Sequence, residues 1–341
     1  MTQSDMDDNV RQPSWELMRL IDGFVTTQLL YVAAKLGIAD RLAGGPRSDT
    51  ELAEAVGADT GALRRVLRGL VIEDVLAEVD GGMFALTPLG EYLVPLRGAA
   101  IARGELYYES AAGLLESVRT GGTAFEHVHG ERFFDYLAGH PGQEATFQGS
   151  MAGRSEQEAD DVVATYEFTG LRRLIDVGGG RGILLARILR ATPDLRGVLF
   201  DRPAAIPAAQ RHLAERSVSD RAECVGGDFF DSVPAGADAY LLSRVFHDWN
   251  DVDAGRILAS CRQAMGPDSR LLIVEAILPE RAKDRPATIR MDLHMLLLFR
   301  AARERTEAEF RRLLDDNGFR LRLVAMTASP AGLGVIEATV T

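Results

Sequence analysis

Apolar residues recur at helical spacing over residues 15–36, where Leu17, Leu20, Ile21, Val25, Leu29, Val32 and Leu36 trace one stripe. Ser48, three residues ahead of Glu51, predicts a capping box for a second helix that carries Leu52 and Val56. A third helix is expected after Thr60, with Leu63, Val66, Leu67, Leu70 and Val71 on its apolar face. Asp80-Gly81-Gly82 then reads as a hairpin turn between strands at 75–79 and 83–86. Three helices and a hairpin predict a winged helix. From about 103 to 167 the pattern stays helical, with breaks at Gly121-Gly122, Gly130 and Pro141-Gly142. Beyond residue 174 strands and helices alternate. Strands are expected at 174–177, 197–201, 222–225, 239–243 and 270–274, with closing strands near 321–326 and 334–339. The fold class is α/β: a Rossmann-like, doubly wound, mostly parallel sheet behind an α-helical winged-helix domain.

The run Leu174-Ile175-Asp176-Val177-Gly178-Gly179-Gly180-Arg181-Gly182 carries a strand into a helix through a glycine loop, and Asp201 ends the next strand. Without a Cβ, such a loop can approach a bound molecule closely. An acid at a strand end can accept hydrogen bonds from both hydroxyls of a ribose. A pyrophosphate-binding G-x-G-x-x-G loop would need a further glycine where Ile183 and Leu184 stand, so the spacing argues for S-adenosyl-L-methionine rather than a dinucleotide. A plain strand-to-helix turn is the competing reading of the glycines alone. Further motifs fall on strand ends, where an open sheet gathers its ligands: Gly227-Asp228-Phe229-Phe230, the segment from Ser243 to His247, and Glu275.

Charge narrows the choice of partner. With 50 acidic against 38 basic residues the formal charge is −12, which disfavours nucleic acid. Arg64, Arg65 and Arg68 lie where a winged helix would read DNA, but acids surround them. Two cysteines, Cys224 and Cys261, suggest neither a disulfide framework nor a zinc site. The N-terminal octet is acidic where a signal peptide would be basic, and no uncharged run is long enough to span a bilayer. A cytoplasmic protein with no membrane partner is expected.

Together these segments resemble the S-adenosylmethionine-dependent small-molecule O-methyltransferases, the family of plant caffeate and flavonoid enzymes and of bacterial mitomycin, anthracycline and phenazine tailoring enzymes. The motifs that carry the resemblance include Phe147-Gln148-Gly149-Ser150-Met151, Asp176-Val177-Gly178-Gly179-Gly180, Phe200-Asp201-Arg202-Pro203, His247-Asp248-Trp249 and Arg303-Glu304-Arg305-Thr306-Glu307. The division it implies is a winged-helix-like dimerisation domain at 1–100, a helical linker and substrate-pocket cap at 101–170, and the Rossmann-like domain at 171–341. It implies His247 as general base, since an imidazole with an unperturbed pKa of about 6.5 can take a phenolic proton near neutrality. Glu275 and Glu304 are expected to orient that imidazole and stabilise its protonated form. A surface ion pair with Arg300 or Arg303 is the other use open to Glu304.

By the same resemblance Met151, Ser155, Gly178, Asp201, Asp228, Phe229 and Ser243 bind the cofactor, although plant members have lysine where Ser243 stands. Asp228 as a turn cap and Phe229 as plain core remain open. Phe147, Met291, Met295 and Phe299 are expected to face a flat aromatic acceptor, with Tyr107, Tyr108, Phe133 and Phe134 as further aromatic candidates. No metal is implied. Asp248 is expected to point away from the base, toward the helix that begins near Asp251. Arg154 and Arg244 would reach an acidic group on the acceptor or pair with nearby acids. Arg300 and Ala301-Ala302 depart from the family, which usually has a glycine pair there. A homodimer through the N-terminal domain is implied. The alternatives are a relative that uses the cofactor for hydroxylation or decarboxylation, and a winged-helix regulator.

Overall fold

The computed structural model describes residues 13–299 and 302–341. The acidic N-terminal octet, Arg300 and Ala301 lie outside the described residues. The chain forms two compact units, one reaching Ala112 and including Tyr136–Met151, the other made of Gly113–Asp135 and Ala152–Thr341. The helical stretch expected as a linker and cap is thus shared between them.

In the first unit the apolar stripe forms two helices rather than one, Pro13–Ile21 and Gly23–Leu36, bent by 48° at Asp22. Among the described residues no single helix is long and apolar enough to cross a membrane. Ser48 and Glu51 make the expected capping box on Asp49–Val56, and the Asp59 side chain caps Thr60–Ile72. Strand β1 (Arg47–Ser48) pairs with β3 (Met83–Leu86), which pairs with β2 (Leu76–Val79) through a turn that Gly81 and Gly82 close at φ of +80° and +72°. Leu52, Leu63, Leu67, Leu70 and Phe84 fill the core beneath this wing. Arg64 pairs with Asp49 and Arg68 with Glu78, so local acids engage arginines that a DNA reader would keep for phosphate.

The second unit is built on one mixed sheet. β4 (Arg173–Val177), β5 (Arg196–Asp201), β6 (Ala222–Gly226), β7 (Ala239–Ser243) and β8 (Arg270–Leu278) run parallel. β11 (Leu333–Val340) joins β8 antiparallel and β10 (Phe319–Met326) joins β11, while β9 (Arg305–Thr306) lies beside the end of β8. The order is β10-β11-β8-β7-β4-β5-β6. Both faces are apolar because alternate residues serve opposite cores. Ile175, Val177, Tyr240 and Leu242 face the helices Asp251–Ala264 and Glu307–Asp316, whereas Leu174, Leu199 and Leu241 face Ile183–Ala191 and Ile206–Glu215. After β4 the chain adds β5 and β6 on one side, then returns to add β7 and β8 on the other. The strand ends of β4 and β7 therefore flank a topological switch point, where such sheets hold ligands. One expectation needs correcting: Glu275 lies inside β8, not at its tip, because pairing with β11 and β9 carries that strand on to Leu278.

Candidate active site

At the switch point the glycine loop lies against the carbonyl end of the sheet. Gly178 has φ of +73°, and a Cβ there would stand 2.9 Å from the Val245 Cγ2 and 3.6 Å from the Phe229 ring. Glycine is required on both counts. The Gly180 N–H donates to one oxygen of Asp201 (2.8 Å) and the Arg202 N–H to the other (2.6 Å), fixing the carboxylate while leaving lone pairs for a ligand. Asp176 lies beneath the loop, 2% exposed, and its Oδ1 lacks a hydrogen-bond partner. Burial, then the nearby charge of Asp201, pushes this carboxyl up to about 7. Ser155, Asp176, Gly178, Ser243 and Arg244 line a cavity of about 240 Å³.

Two other residues expected at the cofactor stand differently. Asp228 is exposed and its Oδ1 accepts the Phe230 N–H at 2.8 Å, the turn-capping use. Phe229 is half-buried and meets Phe230 and Trp249 edge-on. Met151 and Phe147, like Tyr107 and Tyr108, belong to the first unit, where Phe147 is buried.

The imidazole is set by a turn that holds a non-glycine residue in a left-handed conformation. β7 ends at Ser243, and Arg244 follows with φ of +56° while its N–H donates to the Val274 carbonyl. A left-handed non-glycine residue costs about 1–2 kcal/mol, so its side chain must offset that cost. The reversed chain brings the N–H groups of Phe246 and His247 onto Glu275 Oε1 (2.7 and 3.3 Å) and the His247 Nδ1 onto Oε2 (2.9 Å). With Nδ1–H donating, Nε2 keeps its lone pair. Arg305, 1% exposed, pins this turn by donating to the carbonyls of Phe246 and Trp249 (both 2.7 Å) and to Asp251. The Arg303 N–H holds the His247 carbonyl.

Asp248 does not point away as expected. Its half-exposed carboxylate stands 3.3 Å from His247 Nε2, and Asn250 caps the helix at Asp251 instead. Nor is Glu304 a surface residue. It is 1% exposed, its N–H donates to Asp292 Oδ1 (2.9 Å), and its Oε1 lies 3.4 Å from Arg244 Nη1, whereas Arg303 turns outward to Asp251 and Glu309. Of the two carboxylates only Glu275 hydrogen-bonds the imidazole.

Electrostatics follow from this packing. Burial disfavours the imidazolium, but the charge and hydrogen bond of Glu275 outweigh it and hold His247 above its ordinary pKa. Burial would raise Glu275, yet His247 and Arg244 keep it below the usual carboxylate range. Burial pushes Glu304 up to about 7 against the pull of Arg244. The ligand atoms of His247, Glu275 and Glu304 lie within 4.8 Å of one another, a spacing that also suits a divalent cation, but the Arg244 guanidinium already brings positive charge to both carboxylates.

Met291 and Met295 lie on the helix Pro286–Leu298, which also carries Asp292 and ends at Phe299. Phe299 stacks on Phe134 (5.5 Å) and meets Phe133 edge-on (5.2 Å), bringing together three of the aromatic candidates. Arg154 contacts Met291 and pairs with Glu158, and Arg244 pairs with acids. Asp292 and Arg305, and Asp176 as a charged group, join the site without a sequence motif that assigns them a role. Their functions depend on neighbours distant in sequence, and only the acid before the glycines gave a signal.

An O-methyltransferase domain model matches residues 111–320, and an O-methyltransferase dimerisation domain model matches residues 18–95. A phenazine O-methyltransferase of Lysobacter antibioticus is 45% identical over 328 residues, covering 94% of this chain and 95% of that protein. An 8-amino-8-demethylriboflavin N,N-dimethyltransferase of Streptomyces davaonensis is 40% identical over 301 residues, covering 85% and 86%. An O-methyltransferase from neocarzinostatin biosynthesis, solved with S-adenosylmethionine and 2-hydroxy-5-methyl naphthoic acid, superposes with a TM-score of 0.77 at 34% identity, covering 93% and 96%.

Proposed function

Because the chain belongs to the S-adenosylmethionine-dependent O-methyltransferase family, we propose that it methylates a hydroxyl of a flat aromatic, polyketide-like natural product with His247 as the general base. The observation that carries this reading is the 2.9 Å contact of His247 Nδ1 with Glu275, which in the neutral imidazole places the proton on Nδ1 and the lone pair on Nε2. Val245, two residues before the base, lies against Gly178 of the glycine loop, so base and crevice are built on one short segment.

The crevice fits the cofactor. Asp201 offers spare lone pairs to ribose hydroxyls, Gly178 lines the cavity, and the unpartnered Asp176 oxygen suits an ammonium group. Ser155 and Ser243 complete the walls, the Phe229 ring lies beside Gly178, and in this reading Asp228, whose Oδ1 holds its turn, offers its other oxygen to the nucleoside. When bound, S-adenosylmethionine supplies an electrophilic methyl on sulfur. His247 Nε2 accepts the hydroxyl proton as the oxygen attacks, and the anionic Glu275 stabilises the imidazolium that results. Asp248 borders the point at which the hydroxyl enters. Met291, Met295 and Phe299 are the acceptor residues in this reading; apolar surfaces align the ring and exclude water.

A nitrogen acceptor is the second reading, favoured by the riboflavin-analogue relative. An aryl amine is nucleophilic without prior deprotonation, so the dyad argues for oxygen. The dimerisation-domain match and the exposed Trp15, Leu20 and Phe24 support a homodimer. The test supplies methyl-labelled S-adenosylmethionine with hydroxyphenazines, hydroxynaphthoates and their amino counterparts. Label on oxygen is expected, and His247→Ala should lower turnover by about 10²–10⁴-fold while calorimetry finds cofactor affinity nearly unchanged. Full turnover in that variant removes the base assignment.

A further inference from the structure

We infer that Arg244 is a positioning residue for this reaction, whose guanidinium supplies the fixed positive charge that two buried carboxylates would otherwise take from a protonated His247. The inference rests on His247 as the base. Carboxylates from three separate elements converge on this one side chain, which is 14% exposed: Glu158 from the helix Pro141–Thr165 at 3.6 Å, Glu304 from the approach to β9 at 3.4 Å, and Glu275 from β8 at 3.8 Å.

Glu275 and Glu304 are 0% and 1% exposed, so water cannot compensate their charge. Asp248 adds a third acid at Nε2. With no other cation the imidazole would be held as imidazolium, a form that cannot accept a proton. A guanidinium never surrenders its charge near neutrality, so Arg244 meets the need permanently and leaves His247 to titrate. The other charged groups around the cluster are Arg154, paired with Glu158, and Asp292, which holds the Glu304 N–H. The backbone agrees. Arg244 takes a left-handed conformation in which glycine would be unstrained, so what this position requires is a side chain.

The first measurement reads the imidazole directly, without an acceptor. Full-length protein labelled with ¹⁵N-histidine and saturated with S-adenosylhomocysteine is titrated by NMR, with the His247 signal identified by its loss in His247→Ala. Arg244→Met should raise the His247 pKa by about one unit. Acid-limb turnover of a hydroxyphenazine should fall about tenfold, with acceptor KM within about threefold. Arg244→Lys, which restores a cation, should return the imidazole to within about 0.3 units of wild type. Where the methionine variant does not fold, Arg244→Gln, a neutral side chain able to hydrogen-bond Glu304, gives the same comparison. A neutral variant that titrates like wild type, or a lysine variant displaced as far as the neutral one, overturns the inference. The base assignment fails separately, if His247→Ala keeps its turnover.

Discussion

Asp176 shows how much chemistry one residue can hold in reserve. Its folded carboxyl, raised from 3.8 to about 7, is mostly neutral at pH 6 and mostly anionic at pH 8. Because the folded state binds this proton more tightly than the unfolded one, the unliganded fold loses stability as pH rises from about 4 through 7. A cationic cofactor reverses the sense. S-adenosylmethionine should bind more tightly at pH 8 than at pH 6, and Asp176→Asn should bind weakly with that pH difference flattened, as calorimetry at the two pH values will report. Binding by the asparagine variant with wild-type pH dependence would count against the contact. At this scale the positions of Gly178 and Asp201 at strand ends were legible from the spacing of their motif, whereas His247 was singled out by resemblance. Asp248 was misread, since the direction of a side chain in a 3-10 turn depends on what packs around the turn.

Among the elements, the turn Phe246–Asp248 matters most, and a residue nearly sixty positions away holds it. Replacing Arg305 with methionine would leave two backbone carbonyls without their donor, at a cost of about 2–4 kcal/mol. Thermal unfolding should show a clearly lower Tm, and turnover should fall more than cofactor affinity as His247 loses its seat. A variant with unchanged Tm and turnover would deny the clamp. Most elements could be anticipated, because period-2 and period-3.6 patterns survive in sequence. The extension of β8 past Glu275 could not, because it depends on pairing with β9 and β11, segments far along the chain. The bend at Asp22 was missed for a related reason: the apolar stripe continues through it at helical spacing.

At the level of the whole molecule, the exposed Trp15, Leu20 and Phe24 at 72%, 62% and 55% call for a second surface to cover them. The full chain should sediment as a dimer, and a Leu20→Glu, Phe24→Glu double variant as a monomer; a monomeric wild-type chain would refute this. Hydrophobic period, glycine spacing and the placement of acids at strand ends are local properties, and from them the sequence by itself determined the α/β class and the glycine loop; His247 entered as the proposed base only through the resemblance of its His-Asp-Trp segment. Tertiary structure alone decided the charge balance around that base. Glu158, Arg244, Glu275 and Glu304 come from points spread over nearly 150 residues, and whether a carboxylate faces water, an imidazole or a guanidinium depends on burial and distance, which no spacing along the chain encodes.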